Sequence, residues 1–357
     1  MATKQTRTES DLIGALEIPM ECKYGVQTFR AIDNFPITGI GINRYPNIVK
    51  YLGVIKKAAA VANYETGKIS KEIYEGIVKA CDDVIAGKYN DQFPVDVIQG
   101  GAGTSTNMNA NEVIANLALE YMGHEPGQYE FCSPNDHVNG SQSTNDAYPC
   151  AVHLAMYADH LEMVKHLDML IESLEKKAEE YKNIIKMGRT QLQDAVPMTL
   201  GLTFNAFAQS MKNEKAHLLE AAKELLYSNM GATAIGTGIC STLEYREVCL
   251  RALRDITGWD IQLAKDFVQA TSDATPMLVY SSALRTLCTS LCKVCNDLRL
   301  MSSGPRCGLG EISLPALQPG SSIMPGKVNP VIPEVVNQIC YRVMGNDHCI
   351  MLGANNA

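Results

Sequence analysis

The 357-residue sequence has no excess of positive charge and no long uninterrupted hydrophobic run. Acidic residues outnumber Lys and Arg by 39 to 31, which gives a formal net charge of -8, and no basic run is interleaved with aromatic residues. This balance argues against nucleic acid as the main partner, although a local pocket can still attract a small anion. No apolar run reaches the roughly 18 residues that a membrane-spanning helix requires, so we expect no membrane partner.

Motifs for nucleotide binding and for serine hydrolases are also missing. Neither G-x-x-x-x-G-K-[ST] nor G-x-G-x-x-G occurs, which argues against the binding of nucleotide phosphates. No G-x-S-x-G segment is present, and the histidines do not fall beside the serine-rich segment near residue 320. Hydrolase chemistry therefore has little support.

The twelve cysteines are not accompanied by a signal peptide, because the opening residues MATKQTRTESDLIG are polar and contain no apolar segment. We therefore expect a cytoplasmic protein with free thiols rather than a disulfide framework. One spacing resembles that of a metal site, namely Cys288, Cys292 and Cys295 in CTSLCKVC. A zinc site needs about four convergent ligands, usually from two separate pairs. Since no second Cys/His pair is present, we interpret these cysteines as small core residues and predict no metal and no cofactor.

Three segments carry apolar residues at helical spacing over many turns, which predicts long helices packed in a bundle. The third segment is ended by Gly304 and Pro305. The positions that share a face are Leu161, Val164, Leu167, Ile171, Leu174 and Ala178 in the first segment, Phe204, Phe207, Met211, Leu218, Ala222 and Leu225 in the second, and Leu284, Leu287, Leu291, Val294, Leu298 and Met301 in the third.

Strand patterns are sparse, which predicts a mainly α fold. The clearest turn signal, Asn139-Gly140, is consistent either with a type I′ turn or with a simple loop. We predict a mixed helix and loop domain over residues 1–146, followed over residues 147–357 by a long-helix bundle domain. A further helix is predicted in EVVNQICYRVM, after Pro330 and Pro333.

Five polar, glycine-rich segments lie at the predicted ends of these helices. They are GGAGTSTNMNANE, SPNDHVNGSQSTND, MGRTQLQDAVP, GATAIGTG and GSSIMPGKVNP. Each one alone is consistent with ordinary helix caps and turns. Together they supply hydroxyls, amides and the isolated Lys327, which are costly to bury without partners and which suit the carboxylates of a small substrate. We therefore predict that these segments bind a small dicarboxylate.

The last of these segments, extended to GSSIMPGKVNPVIPE, matches every fixed position of the aspartase/fumarase superfamily signature, G-S-S-x-M-x-x-K-x-N-P-x-x-x-E. SPNDHVNGSQSTND and MGRTQLQDAVP are similar to that superfamily's two other shared segments, and YGVQTFRAIDNFPITG is similar to its N-terminal region. The chain thus resembles the superfamily from about Leu12 to its last residue. Gln191 and Thr144 resemble the aspartate ammonia-lyase branch rather than the class II fumarate hydratases, which are the alternative. The resemblance implies reversible conversion of L-aspartate to fumarate and ammonium.

The resemblance also implies a mechanism with a serine base and an aci-carboxylate intermediate, and it places the base at Ser321. A serine is a poor base unless its anion is stabilised, for which backbone N–H groups near Gly320 and the charge of Lys327 are available. Gly320 and Gly326 would let this loop close as a lid. The substrate contacts implied are Thr104, Ser143 and Thr144 for the β-carboxylate and enediolate, Thr190, Lys327 and Asn329 for the α-carboxylate, and Asn145 and Gln191 near the departing amine.

Two features depart from the family pattern. Gly201–Phe204 reads GLTF where G-Q-E-F is usual, and the chain stops before the rest of the family's central bundle and its small C-terminal domain. The resemblance implies a homotetramer in which each active site is built from three subunits. We therefore expect the 357-residue chain alone to be weakly active or inactive, with apolar helix faces exposed. A non-catalytic fragment that binds other lyase subunits is the further alternative.

Overall fold

The computed structural model describes residues 5–356, and these are mainly helical, which confirms the predicted fold class. Short strands in the described residues form three separate two-stranded sheets. The helices are α1 (Val26–Asn34), α2 (Pro46–Glu65), α3 (Lys71–Ile85), α4 (Thr104–Tyr121), α5 (Thr144–Glu180), α6 (Leu200–Ala222), α7 (Leu243–Thr257), α8 (Phe267–Ser272), α9 (Thr275–Met301) and α10 (Val331–Asn355). The strands are β1 (Thr6–Asp11), β2 (Gly14–Pro19), β3 (Ile185–Thr190), β4 (Gln193–Thr199), β5 (Tyr227–Ser228) and β6 (Gln262–Leu263).

The described chain divides into two compact units. The first unit runs up to Asp159 and includes Leu225–Asp273, and the second comprises His160–Glu224 and the residues from Ala274 onward. Each unit consists of two separate stretches of the sequence. Helix α5 contributes to both, because the division falls between Asp159 and His160. The division between residues 146 and 147 stays a prediction. Across residues 5–356, no helix combines the length and apolarity that crossing a bilayer requires.

The core of the first unit is formed mainly by α2, α3, α4 and α7. Helix α4 is buried on every side from Thr106 to Leu119, although its sequence contains several asparagines. Buried amides need partners, and two of these asparagines bond to the backbone of neighbouring segments. Asn109 Nδ2 donates to the carbonyl of Gln92 at 2.9 Å, and Asn116 Nδ2 donates to that of Lys23 at 2.8 Å. Helix α4 therefore organises the loops around it as well as the core.

A carboxylate of α4 caps α1, which has no side-chain cap of its own at Gly25. Glu112 is buried and accepts hydrogen bonds from the N–H groups of Gly25, Gln27 and Thr28 at 2.9, 2.8 and 3.0 Å, and from the Thr28 hydroxyl at 2.6 Å. An anion at a helix N-terminus pairs with its unbonded N–H groups and with the helix dipole. Burial nevertheless raises the pKa of Glu112 to about 7.

The second unit contains the long helices that the sequence predicts. The apolar face of α6 is buried as expected, from Phe204 and Phe207 through Met211 and Leu218. Helix α9 packs between α6 and α10 and ends at Met301, just before the predicted stop at Gly304. The helix predicted after Pro330 is α10.

The cysteines of CTSLCKVC lie on α9 and are largely buried. Cys288 and Cys292 pack with Cys340 of α10 in a small cluster that includes Leu291 and Val336. Burial raises the pKa of Cys292 and Cys340 to about 11. Neutral thiols packed against apolar neighbours behave as small core residues. Among residues 5–356, no group of three or more His, Cys, Asp or Glu side chains is arranged to hold a metal ion.

Candidate active site

The first unit brings the Thr104 segment against the start of α5. The residues before Thr104 have left-handed backbone conformations, with φ of 87° at Gly101, 50° at Ala102 and 89° at Gly103. A Cβ at Gly103 would lie 2.4 Å from the ring of Tyr148, so only glycine fits both the conformation and the space. Thr104 then begins α4, and its hydroxyl donates to the carbonyl of Gly101 at 2.7 Å.

A cavity of about 660 Å³ opens beside Thr104 and Ser105 in this unit. One wall is formed by α1, which presents Gln27, Arg30 and Asn34 at helical spacing. Arg30 is neutralised by Asp11, which accepts from its Nε at 2.9 Å and from its Nη2 at 3.0 Å. The cavity is lined by both polar and apolar residues and is large enough for a small substrate.

The segment from Asn139 to Asp146 contains three predicted site residues and is held by a buried lysine. Asn139-Gly140 does not form a hairpin turn; it follows a single π-helical turn over Pro134–Val138. Nζ of Lys56 in α2 donates to Asn139 Oδ1 and to Gln142 Oε1, both at 2.9 Å. Lys56 is fully buried, and that burial lowers its pKa to about 7, against the opposing effect of the Asp146 charge.

Asn107 of α4 connects this buried lysine to the predicted substrate residue Thr144. Its Nδ2 donates to Asn139 Oδ1 at 3.1 Å and to Thr144 Oγ1 at 3.2 Å. A hydroxyl has two acceptor lone pairs and one proton. Asn107 occupies one lone pair of the Thr144 oxygen and so fixes its position, while the single proton of the hydroxyl can donate to an anion.

Asp146 fixes the other end of the same segment. It is buried and accepts from the N–H of Ser143 at 2.9 Å, of Thr233 at 2.8 Å and of Gly231 at 3.2 Å. Burial raises its pKa despite these hydrogen bonds. Asn145 Nδ2 adds a bond of 2.8 Å to the carbonyl of Ala234. The polar segments that contain Ser143 and Thr233, well separated in sequence, therefore meet in the first unit.

In the second unit, MGRTQLQDAVP forms the β3–β4 hairpin, although its residues show no clear strand pattern. Thr190 ends β3, and Gln191 and Leu192 form the turn with left-handed φ of 52° and 63°. Two consecutive positive φ values are typical of a type I′ hairpin turn, although glycine or asparagine is usual there. Thr190 and Gln191 are thus exposed at the hairpin tip.

The loop before α10 contains Ser321, Lys327 and Asn329, and its two ends meet at Gly320. The N–H of Gly320 donates to the carbonyl of Lys327 at 2.7 Å, which closes the loop on itself. A Cβ at Gly320 would lie 2.9 Å from Asn329 Oδ1, so this close approach requires glycine. Ser321 Oγ accepts a hydrogen bond of 3.3 Å from the N–H of Ile323. A backbone donor on this oxygen is the type of contact that stabilises a serine anion.

A carboxylate links the β3–β4 hairpin to the residues that precede this loop. Glu311 Oε2 lies 3.0 Å from Nζ of Lys186, and the same carboxylate pairs with the guanidinium of Arg189. Partial burial raises the pKa of Glu311, but the contacts with Arg189 and Lys186 together outweigh it, so the pKa is lowered. Thr190, next to Arg189, is therefore tied to the chain that leads to Ser321.

Sequence reasoning did not single out four residues that hold the predicted site residues in place. They are Lys56, Asn107, Asp146 and Glu311. Sequence features could have indicated two of them: Lys56, which with Lys57 interrupts the apolar run GVIKKAAAVA, and Asn107, which lies in a helix with no polar face. For Glu311 the sequence carries no periodic signal.

The family model described as lyase matches residues 14–345. An aspartate ammonia-lyase from Pseudomonas canavaninivorans is 52% identical over 349 residues, which cover 98% of this chain and 74% of that enzyme. An aspartate ammonia-lyase from Helicobacter pylori is 53% identical over 348 residues, with 98% and 74% covered.

Two solved structures are similar over the same extent. The fumarate lyase:delta crystallin from Brucella melitensis has a TM-score of 0.95 and 50% identity, and the match covers 98% of this chain and 76% of that chain. The class II fumarase from Schistosoma mansoni has a TM-score of 0.92 and 34% identity, with 98% and 77% covered. The superfamily resemblance inferred from the motifs is confirmed.

Proposed function

The chain belongs to the lyase family and, within it, to the aspartate ammonia-lyases, and we propose that Ser321 is the base of the reaction. This class of carbon-nitrogen lyase converts L-aspartate reversibly to fumarate and ammonium. The observation that carries the assignment of the base is the hydrogen bond from the Ile323 N–H to Ser321 Oγ, in a loop closed between Gly320 and Lys327.

Ser321 would remove the proton from the carbon next to the β-carboxylate. The electron pair of that C–H bond moves into the carboxylate and gives an aci-carboxylate with an additional negative charge. The pair then returns to form the C=C bond of fumarate as the C–N bond breaks and ammonia leaves. Catalysis requires groups that bind the doubly charged intermediate more strongly than they bind L-aspartate.

Residues of the first unit supply suitable donors for that charge. Thr104, Ser143 and Thr144 carry hydroxyls. The Thr144 oxygen accepts from Asn107, which fixes its position while its own proton can donate to the substrate. The Thr104 proton donates to the Gly101 carbonyl and would have to turn to the substrate instead. Hydroxyls fixed by surrounding hydrogen bonds need little reorganisation when charge develops. We assign these three residues to the β-carboxylate and the enediolate, and Asn145 to the departing amine.

Residues of the second unit supply the α-carboxylate clamp in this proposal. Lys327 and Asn329 lie in the same closed loop as Ser321, and Thr190 lies at the hairpin tip beside Gln191. A single ammonium with neutral donors binds a carboxylate without the rigidity of an arginine pair. Gln191 would contact the substrate near the amine.

We also propose that the protein acts as a homotetramer in the cytoplasm, with sites shared between subunits. Large apolar side chains are exposed on α10, including Ile339, Tyr341 and Leu352, which suits association with further copies. All twelve cysteines are free thiols, which suits a reducing compartment.

The test is the appearance of fumarate, followed by its ultraviolet absorbance, from L-aspartate and from L-malate in parallel. We expect fumarate to form from L-aspartate, if only slowly, and this turnover to be lost in Ser321→Ala. Fumarate from L-malate alone would identify a fumarate hydratase instead. Turnover of L-aspartate that Ser321→Ala leaves unchanged would refute the assignment of the base.

A further inference from the structure

Glu311 is the acidic partner of two cations on one strand of the β3–β4 hairpin. It pairs with Lys186 at 3.0 Å and with Arg189, whose Nη1 lies 3.4 Å from Oε2. The three side chains are largely shielded from solvent, with exposed fractions of 17% for Glu311, 12% for Lys186 and 18% for Arg189. Shielded, charge-assisted contacts of this kind fix geometry more strongly than exposed ion pairs.

An irregularity in the hairpin makes this double contact possible. In a regular strand, residues three positions apart point to opposite faces. The register of β3 against β4 shifts between Met187 and Arg189, which brings Lys186 and Arg189 to the same carboxylate. Gly188 lies within the shift, and a Cβ there would lie 2.9 Å from the carbonyl oxygen of Val196. Such bulges re-aim side chains and are frequent beside active sites.

The chain around Glu311 is itself fixed to the end of α9. The Met301 carbonyl accepts from the N–H of Glu311 at 2.8 Å and from that of Ile312 at 3.3 Å. Gly310 N–H donates to the carbonyl of Ser303 at 2.9 Å. Residues 313–319, which follow and lead to Ser321, are mostly exposed. Glu311 therefore lies where the chain is still hydrogen-bonded to the end of α9, just before the exposed residues that lead to the proposed base.

We propose that Glu311 is a positioning residue for the lyase reaction. It holds the hairpin tip, with Thr190 and Gln191, at a fixed distance from the residues at which the Ser321 loop begins. The inference rests on the proposed roles of Thr190 and Ser321. Glu311 itself touches no reacting atom in this proposal. It acts through Lys186 and Arg189, and its loss leaves two neighbouring cations without their shared counter-ion.

The first test compares Glu311→Gln with a matched control in steady-state turnover of L-aspartate. The control is Asp168→Asn, which breaks the ion pair of 2.6 Å between α5 and α6 in the same unit. We expect kcat/KM to fall about 10- to 100-fold in Glu311→Gln, since small displacements of positioned groups cost rate on that scale. Asp168→Asn should stay within about threefold, because partly exposed pairs contribute little.

Two further variants separate positioning from a general loss of stability. Glu311→Asp retains the charge and should recover part of kcat/KM. Adding Arg189→Met to Glu311→Gln should cost much less than Arg189→Met costs alone, since both changes remove one interaction. If Glu311→Gln does not fold, Arg189→Met alone removes one cation while Lys186 stays paired. Strictly additive losses, or no loss in either single variant, would overturn the proposal.

Amide hydrogen exchange tests this positioning role without measuring turnover. We expect Glu311→Gln to exchange faster in both residues 185–199 and residues 309–312, whereas Asp168→Asn leaves both unchanged. Unaltered exchange in the hairpin would refute the coupling. If the unchanged protein does not turn over L-aspartate, the proposed function fails, while the exchange result still decides whether Glu311 joins the two segments.

Discussion

Lys56 Nζ donates a hydrogen bond of 2.9 Å to Asn139 Oδ1, although no part of the lysine is exposed to solvent. The same oxygen accepts from Asn107, which in turn donates to Thr144. A buried ammonium is costly, and here its partners are neutral amide oxygens with Asp146 as the nearby opposite charge. The position of a proposed substrate residue thus depends on a group whose charge titrates.

We expect Lys56→Met to change how stability depends on pH. The pKa of Lys56 is lowered from 10.5 to about 7 in the folded state. Between these values the unfolded chain binds more protons than the native protein, so this group makes the wild-type protein more stable as pH rises. Below pH 7 both states are protonated and its cost is fully present. The variant lacks this contribution.

The measurement is urea unfolding at pH 7 and pH 9. The free energy of unfolding of the wild type, relative to Lys56→Met, should increase by about 2–3 kcal/mol between these pH values, at about 1.4 kcal/mol per pH unit. Lys57→Met, on the same helix and paired with Asp82 at 2.6 Å, is the matched control and should show no such change. If the difference in the free energy of unfolding between wild type and Lys56→Met is the same at both pH values, the lowered pKa of Lys56 is refuted.

Ser321→Ala tests the base. Its hydroxyl oxygen already accepts from the Ile323 N–H, so the substitution removes a poised acceptor of the proton rather than a ground-state contact. We expect kcat to fall about 10³-fold or more, with little change in KM for L-aspartate. Ser322→Ala, which removes the hydroxyl of the next residue, is the control. Activity of Ser321→Ala within tenfold of the parent would exclude Ser321 as the base.

Lys327→Met should weaken substrate binding as well as turnover. A charge that pairs with a carboxylate in a closed site is worth roughly 2–5 kcal/mol, so KM for L-aspartate should rise steeply. Lys327→Arg should rescue poorly, because the guanidinium fork needs more room than an ammonium. Steady-state kinetics with both variants provides the comparison. An unchanged KM in Lys327→Met would show that Lys327 does not bind the substrate carboxylate.

The parts of the fold that could be predicted from sequence are those with local causes. The buried face of α6, with Phe204 and Met211, follows from helical spacing, and the end of α9 follows from Gly304 and Pro305. The site residues Ser321 and Lys327 were recognisable because they lie within one contiguous motif. Each of these signals is contained in a few turns of chain.

The supporting contacts could not be predicted because they join distant parts of the sequence. Lys56 and Asn139 are 83 residues apart, and Arg189 and Glu311 are 122 apart. The β3–β4 hairpin was also missed, since its turn places Gln191 and Leu192 where glycine or asparagine is usual. Periodicity reports which face of an element is buried, but not which polar group it will meet.

Shared active sites predict that two inactive variants can restore each other. Thr144→Val alters a residue of the first unit and Ser321→Ala one of the second, and each should be inactive alone. If one site takes its Thr144 and its Ser321 from different copies, mixed assemblies contain some sites in which both residues are intact. Co-expression of the two variants with different tags, followed by purification on both tags, should then recover part of the parental turnover of L-aspartate.

Co-expression of Ser321→Ala with Lys327→Met is the matched control and should recover none, because both changes lie in one loop and every shared loop is damaged. A doubly tagged assembly with no activity, or a fully active monomer by light scattering, would show that each chain builds its own site.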